Sequence, residues 1–275
     1  MLEGSAVDLY LETAIAAARA GGATLNARAG DLGRVRTKSN RLDMVTEADI
    51  ASGVAVCSAI AERLEQARFV VEEPEVYDLA GVSRGSLHDA DVWVIDPLDG
   101  TTSYVHGYPC YSVSVALLHA GEPVVGVVYN VPADELIAAS VDGGVTLNGV
   151  RTACTGTGAI ADALIITGFP YDRDGLLMQQ LPVFSEVMRT VHGIRRDGSA
   201  AIDCCHVATG RADAFWEFGL QPWDTAAGIV ALREAGAIIT DHEGHDWTPE
   251  TQHVVAGNPE LHAELLELIK RVRER

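Results

Sequence analysis

The sequence predicts a mixed α/β protein: two long helices and a largely antiparallel sheet, then a smaller half in which strands and helices alternate. Three observations carry this. Apolar residues recur at helical spacing over residues 6–28 and again after Thr46. Five short apolar runs follow between residues 69 and 140, spaced as strands. Beyond residue 150 the rhythm changes to alternating apolar runs and amphipathic stretches. The 275 residues suffice for one large or two small domains with a sizeable core.

Val7, Leu11, Ala14 and Ala18 set the first helix, over 6–28, which Gly21-Gly22 should weaken or bend. Thr46 reads as the N-cap of a second helix, with Ile50, Val54, Cys57, Ala61 and Leu64 on its inner face. Strands are expected over 69–71, 92–95, 112–119, 124–130 and 135–140, with a hairpin at Ala120-Gly121-Glu122. Asn148-Gly149-Val150-Arg151 is a turn signal and marks the expected boundary between halves 1–150 and 151–275. The second half reads as strand 163–167, helix 176–191, extended 195–196, helix 199–208, strand 214–217, helix 224–234, strands 237–240 and 254–256, and a closing helix 259–271 that starts with proline. There is no internal repeat and no low-complexity tract.

Composition excludes several classes. Hydrophobic residues make up 48% and charged residues 21%, ordinary for a globular protein. No apolar run approaches the ~20 residues of a membrane-spanning helix. The first residues carry neither a basic region nor a signal-peptide core, so a cytoplasmic location is expected. Five cysteines (Cys57, Cys110, Cys154, Cys204, Cys205) lack metal-ligand spacing and are expected as buried small apolar residues in a reducing compartment. The formal charge of −19 argues against nucleic acid or anionic membrane as partner. An anionic substrate stays open, because bound divalent cations reverse the local field.

The chemistry concentrates in Asp96-Pro97-Leu98-Asp99-Gly100-Thr101-Thr102. It follows the buried run Val92–Ile95, and Pro97 fixes the turn between two carboxylates. Gly100, Thr101 and Thr102 open a short helix whose free N–H groups suit an anion. Carboxylates for hard cations beside N–H groups for a phosphate point to metal-assisted phosphoryl chemistry. Taken alone, Asp96 and Asp99 read first as turn formers, the commonest role of such residues. Further carboxylates stand in Phe69-Val70-Val71-Glu72-Glu73 and in Gln221-Pro222-Trp223-Asp224-Thr225-Ala226-Ala227-Gly228. All candidate ligands are oxygen donors, which selects Mg²⁺ or Mn²⁺ over Zn²⁺. Each residue also has a plainer reading: Glu72 as part of a solvated acidic run, Asp224 as an N-cap, Thr46-x-x-Asp49 as a capping box, Lys38 as a solvated lysine, Ser199-Ala200 as a helix start and Glu217 as a strand edge. His106 reads as a structural polar contact, since nothing pairs it with a Ser or Cys nucleophile. No phosphate-binding loop of the kinase type is present.

These segments, with Lys38-Ser39-Asn40-Arg41-Leu42-Asp43-Met44-Val45-Thr46-Glu47-Ala48-Asp49, together resemble the inositol monophosphatase family from about Leu9 to about Leu268. Two positions differ from the family pattern: Val71 stands where Gly is usual, and Ser103 where Asn is usual. The resemblance implies a layered α-β-α-β-α sandwich and a homodimer. It implies a lithium-sensitive phosphomonoesterase that uses two or three Mg²⁺ ions, with Mn²⁺ as substitute. The substrate would be myo-inositol monophosphate or a similar polyol phosphate, hydrolysed by activated water without a covalent intermediate. By resemblance Asp96 bridges two ions, Glu72 and the Leu98 carbonyl join it at the first, and Asp99 and Asp224 bind the second. Asp49 holds Thr101, which orients the attacking water, and Lys38 lies at the edge of the metal site. Gly100 and Thr101 would hold the phosphate, Ala200 would offer backbone contact, and Glu217, Asp99 and Asp224 would meet substrate hydroxyls. The family also includes phosphatases of histidinol phosphate, fructose 1,6-bisphosphate, nucleotide bisphosphates and NADP, and members that contact transcription machinery. Arg195 and Arg196 are the only basic pair near the expected substrate residues.

Overall fold

The computed structural model describes residues 4–30, 35–37 and 44–274. Lys38 lies outside these residues. The chain begins with α1 (Gly4–Arg28), a two-stranded ribbon of β1 (Arg36–Thr37) and β2 (Met44–Val45), and α2 (Glu47–Ala61). Then come β3 (Arg68–Val71), α3 (Glu75–Ala80), β4 (Ser83–Arg84), β5 (Asp91–Asp99) and α4 (Thr101–His106). A meander follows: β6 (Ser112–His119), β7 (Glu122–Asn130), β8 (Glu135–Ser140), β9 (Gly144–Leu147) and β10 (Val150–Arg151). The remainder is β11 (Leu164–Thr167), α5 (Leu176–Thr190), β12 (Gly193–Arg195), α6 (Ala200–Ala208), β13 (Ala214–Phe218), α7 (Pro222–Glu234), β14 (Ile238–Thr240), β15 (His253–Gly257) and α8 (Pro259–Arg273).

Two sheets result. The larger has the order β10-β9-β8-β7-β6-β5-β3-β4, parallel at β3 and its two neighbours and antiparallel elsewhere. The smaller has the order β12-β11-β13-β15-β14. Helices α1 and α2 cover the outer face of the large sheet, α6 and α7 fill the space between the sheets, and α5 and α8 cover the outer face of the small sheet. This is the expected five-layer α-β-α-β-α sandwich. Strand periodicity builds the layers. Val92 and Val94 of β5 point into the core beneath α6 and α7, whereas Trp93 and Ile95 point at α1 and α2. In β13, Phe215 faces the middle layer while Trp216 and Phe218 face α5 and α8.

Several elements differ from expectation for physical reasons. The first helix runs through Gly21-Gly22 as one 25-residue helix. A Cβ on Gly21 would stand 2.7 Å from Val56 Cγ2, and one on Gly22 would strike the Tyr129 ring. These glycines therefore seat α1 against α2 and β7. The deepest face of α2 carries Ala48, Asp49, Ser52, Val56, Cys57 and Ile60, while Ile50, Val54 and Leu64 are only partly buried. The Ser52 hydroxyl is usable there because it donates to the Pro97 carbonyl at 2.8 Å. Helix α7 starts at Pro222 with Gln221 as its cap, so Asp224 is the third helical residue and not the N-cap. Four cysteines are buried as expected, and Cys154 is partly buried.

A row of small residues across three strands seats α7. Ala116, Gly126 and Ala139 lie side by side in β6, β7 and β8. A Cβ on Gly126 would collide with the backbone of Ala227, and one on Gly228 would press on Cys204. The helix that carries Asp224 is thus held by backbone-close contact to the large sheet and to α6. Gly126→Ala should destabilise the protein by about 1–3 kcal/mol through overpacking, read as a lower thermal midpoint. An unchanged midpoint would show that α7 is free to shift.

Candidate active site

The parallel pairing of β3 with β5 aligns Val71 with Ile95, so Glu72 and Asp96 leave their strands side by side. The N–H of Glu72 still bonds the Ile95 carbonyl, at 3.2 Å. The strand β5 continues through Pro97, with a register shift against β6 between Asp96 and Asp99. That irregularity turns Asp96, Leu98 and Asp99 toward a common space. The Leu98 N–H donates to Asp96 Oδ1 at 3.0 Å and fixes the first carboxylate. Gly100 adopts φ +97, and a Cβ there would stand 2.9 Å from the Cys110 carbonyl oxygen, so only glycine fits this turn.

Asp99 is held from the other half of the chain. Its Oδ2 accepts from the Ser199 hydroxyl at 2.7 Å and from the Ala201 N–H at 2.8 Å. Ala200 lines the cavity, and its N–H also turns toward Asp99. Asp224 accepts from the Gln221 N–H at 2.7 Å, and the Ser114 hydroxyl donates to the Trp223 carbonyl at 3.2 Å. Since Ser114 pairs with Asp96 in the sheet, this bond ties the start of α7 beside Asp96.

Asp49 makes both expected contacts, because a carboxylate has two oxygens. Oδ2 accepts the Thr46 N–H at 2.9 Å and completes the capping box. Oδ1 accepts from the Thr101 hydroxyl at 3.0 Å, and the Leu98 carbonyl lies within 3.1 Å of the same hydroxyl. Glu72, Asp96, Leu98, Asp99, Gly100, Thr101, Ala200, Glu217 and Asp224 all line one cavity of about 100 Å³. Asp49 stands behind Thr101. His106 is exposed at the end of α4, and among the described residues it makes no hydrogen bond of the kind expected.

Burial first, and then the neighbouring charges, push these carboxyls up. Asp96 rises well above its ordinary value through burial and the charges of Glu72, Asp99 and Asp224. Asp224 rises through burial, Asp99 and Glu72. Burial lifts Asp99 to about 6 against the pull of Ser199, and lifts Asp49 to about 6 against the pull of Thr46 and Thr101. Burial and Asp99 lift Glu217 to about 8, with Arg196 opposing. Carboxylates crowded and buried around one cavity repel one another, and bound cations would relieve that repulsion. Their oxygen-only chemistry fits hard divalent ions. Among the described residues no three acidic, His or Cys side chains close on one point as a finished cage. The donors instead ring the cavity.

Two residues carried no sequence signal. A Cβ on Gly168, just beyond β11, would collide with both carboxylate oxygens of Glu217, so glycine there leaves room for that side chain. Asp203 on α6 is fully buried, and neither of its oxygens finds a hydrogen-bond partner among the described residues. It faces the charges of Glu217, Asp197 and Asp99, with Arg196 opposing.

Comparisons with known proteins place the chain in a family. The inositol monophosphatase family profile matches residues 7–274. An inositol-1-monophosphatase of Synechocystis is 38% identical over 95% of this chain and 88% of its own. A putative Nus factor SuhB of Neisseria meningitidis is 37% identical over 94% of this chain and 97% of its own. The solved inositol monophosphatase of Anabaena superposes with a TM-score of 0.83 at 35% identity, covering 95% of each chain. The chain belongs to the inositol monophosphatase family. It is a phosphoric monoester hydrolase.

Gly168→Ala should displace the Glu217 carboxylate. The loss of a charged acceptor bond predicts a fall of about 10-fold or more in kcat/KM for a polyol phosphate. An aryl phosphate without hydroxyls should change little. Equal losses on both would place Glu217 in support of the fold.

Proposed function

We propose that this chain is a Mg²⁺-dependent phosphomonoesterase, with Mn²⁺ as substitute, acting on myo-inositol monophosphate or a similar small phosphorylated polyol. The observation that supports it is the convergence of Glu72, Asp96, Asp99, Asp224, Thr101 and Glu217 on one cavity. Glu72, Asp96 and the Leu98 carbonyl would hold one ion, and Asp96, Asp99 and Asp224 a second; a third is compatible with the family. Bound there, the ions would offset the charge of the phosphate, acidify a water and stabilise the leaving alkoxide.

The chain's own groups do the positioning. Thr101 has one proton and two lone pairs. Asp49 Oδ1 and the Leu98 carbonyl are both acceptors, so the Thr101 proton is committed to one of them. The hydroxyl can then only accept from a water, which turns that water's lone pair toward the phosphorus. The N–H groups of Gly100 and Thr101 would hold the phosphate. Glu217, Asp99 and Asp224 would receive substrate hydroxyls, since one carboxylate can accept two O–H donors. Ala200 forms the small wall between them. Lys38 would stand at the edge of the metal site. In this reading residues 1–150 supply most of the metal and phosphate site, and residues 151–275 supply the substrate residues and Asp224.

The reading includes a cytoplasmic homodimer, inhibition by lithium, and no nucleic-acid or membrane partner. Among the described residues no helix is long and apolar enough to cross a membrane. A regulatory binding role is the second reading, drawn from relatives named Nus factor SuhB.

Asp96→Asn keeps the acceptor for the Leu98 N–H and removes the charge shared by both proposed ion positions. Mg²⁺-dependent turnover should fall about 100-fold or more with the circular-dichroism spectrum unchanged. A loss below about tenfold would contradict the bridging role.

A further inference from the structure

Three segments far apart in sequence meet beside Asp99. The Gly100 turn packs closely on the other two: a Cβ there would stand 2.9 Å from the Cys110 carbonyl oxygen, 3.2 Å from Tyr111 Cα and 3.3 Å from the Gly198 carbonyl oxygen. β6 begins next to this contact, and its first residue, Ser112, lies opposite Asp99 in the β5–β6 pairing. α6 begins on the other side, with Ser199 as its cap. Ser112 and Ser199 are both buried, at 0% and 1% exposed, and their hydroxyl oxygens stand 3.2 Å apart. In the sequence Ser112 reads only as the first residue of a strand.

The neighbours of these hydroxyls decide where each proton lies. A carboxylate that meets a cation is ionised and only accepts. The Ser199 hydroxyl stands 2.7 Å from Asp99 Oδ2, so its single proton goes there. The Ser199 oxygen keeps two lone pairs. One receives the Ile202 N–H at 3.4 Å, the cap of α6. The other faces Ser112, and with the Ser199 proton already committed, Ser112 is the donor in the 3.2 Å bond. The Ala201 N–H joins the same Asp99 oxygen at 2.8 Å. Two donors fill the two lone pairs of Oδ2. That leaves Oδ1 as the oxygen open to a cation in the cavity that Asp99 lines.

Asp96 and Asp224 are held differently. They accept from the backbone N–H groups of Leu98 and Gln221, which do not rotate. Asp99 depends in part on a hydroxyl rotor, and a rotor that loses its own donor is free to turn away. We infer that Ser112 is a positioning residue: through Ser199 it fixes the Asp99 carboxylate and so sets how firmly the second proposed ion is held. Donors behind a ligating carboxylate orient it and tune its affinity for the metal. Ser112 itself lies outside the cavity lining, so it acts only at this remove. The inference rests on the Mg²⁺ reading above and adds to it a residue that no motif contains.

Mg²⁺ binding to the full chain in the absence of substrate, followed by titration calorimetry, provides the test. Ser112→Ala should weaken the weaker Mg²⁺ step by about 3- to 10-fold, the worth of one neutral hydrogen bond. Ser199→Ala should weaken it by about tenfold or more. Added to Ser199→Ala, Ser112→Ala should cost nothing further, because its route to Asp99 is already gone. Ser112→Cys, which nearly keeps the volume but donates weakly, should bind Mg²⁺ like Ser112→Ala. Wild-type affinity in Ser112→Ala or in Ser112→Cys would overturn the inference. An equal loss from Ser112→Ala with and without Ser199 would overturn it too, since a merely structural defect adds independently. The comparison of Ser112→Ala and Ser112→Cys with wild type stands even where Ser199→Ala fails to fold. A wild-type chain that binds no Mg²⁺ would instead overturn the metal reading, and this inference with it.

Discussion

Mutual repulsion among desolvated carboxylates is the constraint around which the rest of this structure is arranged. Asp96 is 2% exposed and has Glu72, Asp99 and Asp224 as electrostatic neighbours. Left to relax, such a group would spread or take up protons. Each carboxylate is instead pinned by a different element: Glu72 by the β3–β5 pairing, Asp96 by the Leu98 N–H, Asp99 by the start of α6, and Asp224 by the capping of α7. The small-residue row Ala116-Gly126-Ala139 lets α7 approach closely enough for Asp224 to join the others. The fold therefore concentrates negative charge that folding alone does not favour, which is how a site that awaits cations is expected to look.

The two sheets divide the work. The large sheet, through β3 and β5, supplies Glu72, Asp96, Leu98 and Asp99. The small sheet, through β13, supplies Glu217, and the segment after β11 supplies Gly168 and Phe169. The middle helices α6 and α7 join them, since Ser199 and Ala201 hold Asp99 and Asp224 heads α7. Motion of the small sheet relative to the large one would displace Glu217 before it disturbed Asp96, a separation that follows from which strand carries which carboxylate.

Local structure was legible in the sequence where it depended on residue type at short spacing. The Thr46–Asp49 capping box, the helix start at Thr101 and the buried run Val92–Ile95 were read directly, whereas the turn expected at Pro97 is instead strand, since β5 runs on to Asp99 with only a register shift. What depended on close approach across elements was hidden. Gly21-Gly22 read as a weakness in a helix because its partners, Val56 and Tyr129, are distant in sequence. Asp224 reads as an N-cap from the sequence, whereas Pro222, suited to the first helical position, starts the helix two residues earlier and leaves the cap to Gln221. Gly168 and Asp203 acquire meaning only from Glu217, and a long separation in sequence leaves no pattern to find.

The carboxylate cluster is strained without cations and relieved by them. The thermal midpoints of wild type and Asp96→Asn, each in chelator and in saturating Mg²⁺, test it most directly. Asparagine keeps the shape and the Leu98 contact while removing one repelling charge. In chelator Asp96→Asn should melt above wild type, by about 2–4 °C for each kcal/mol of repulsion relieved. Added Mg²⁺ should raise the wild-type midpoint, as binding to the folded state requires, and should raise the variant's less. A variant that melts below wild type in chelator, or a wild type indifferent to Mg²⁺, would contradict the account.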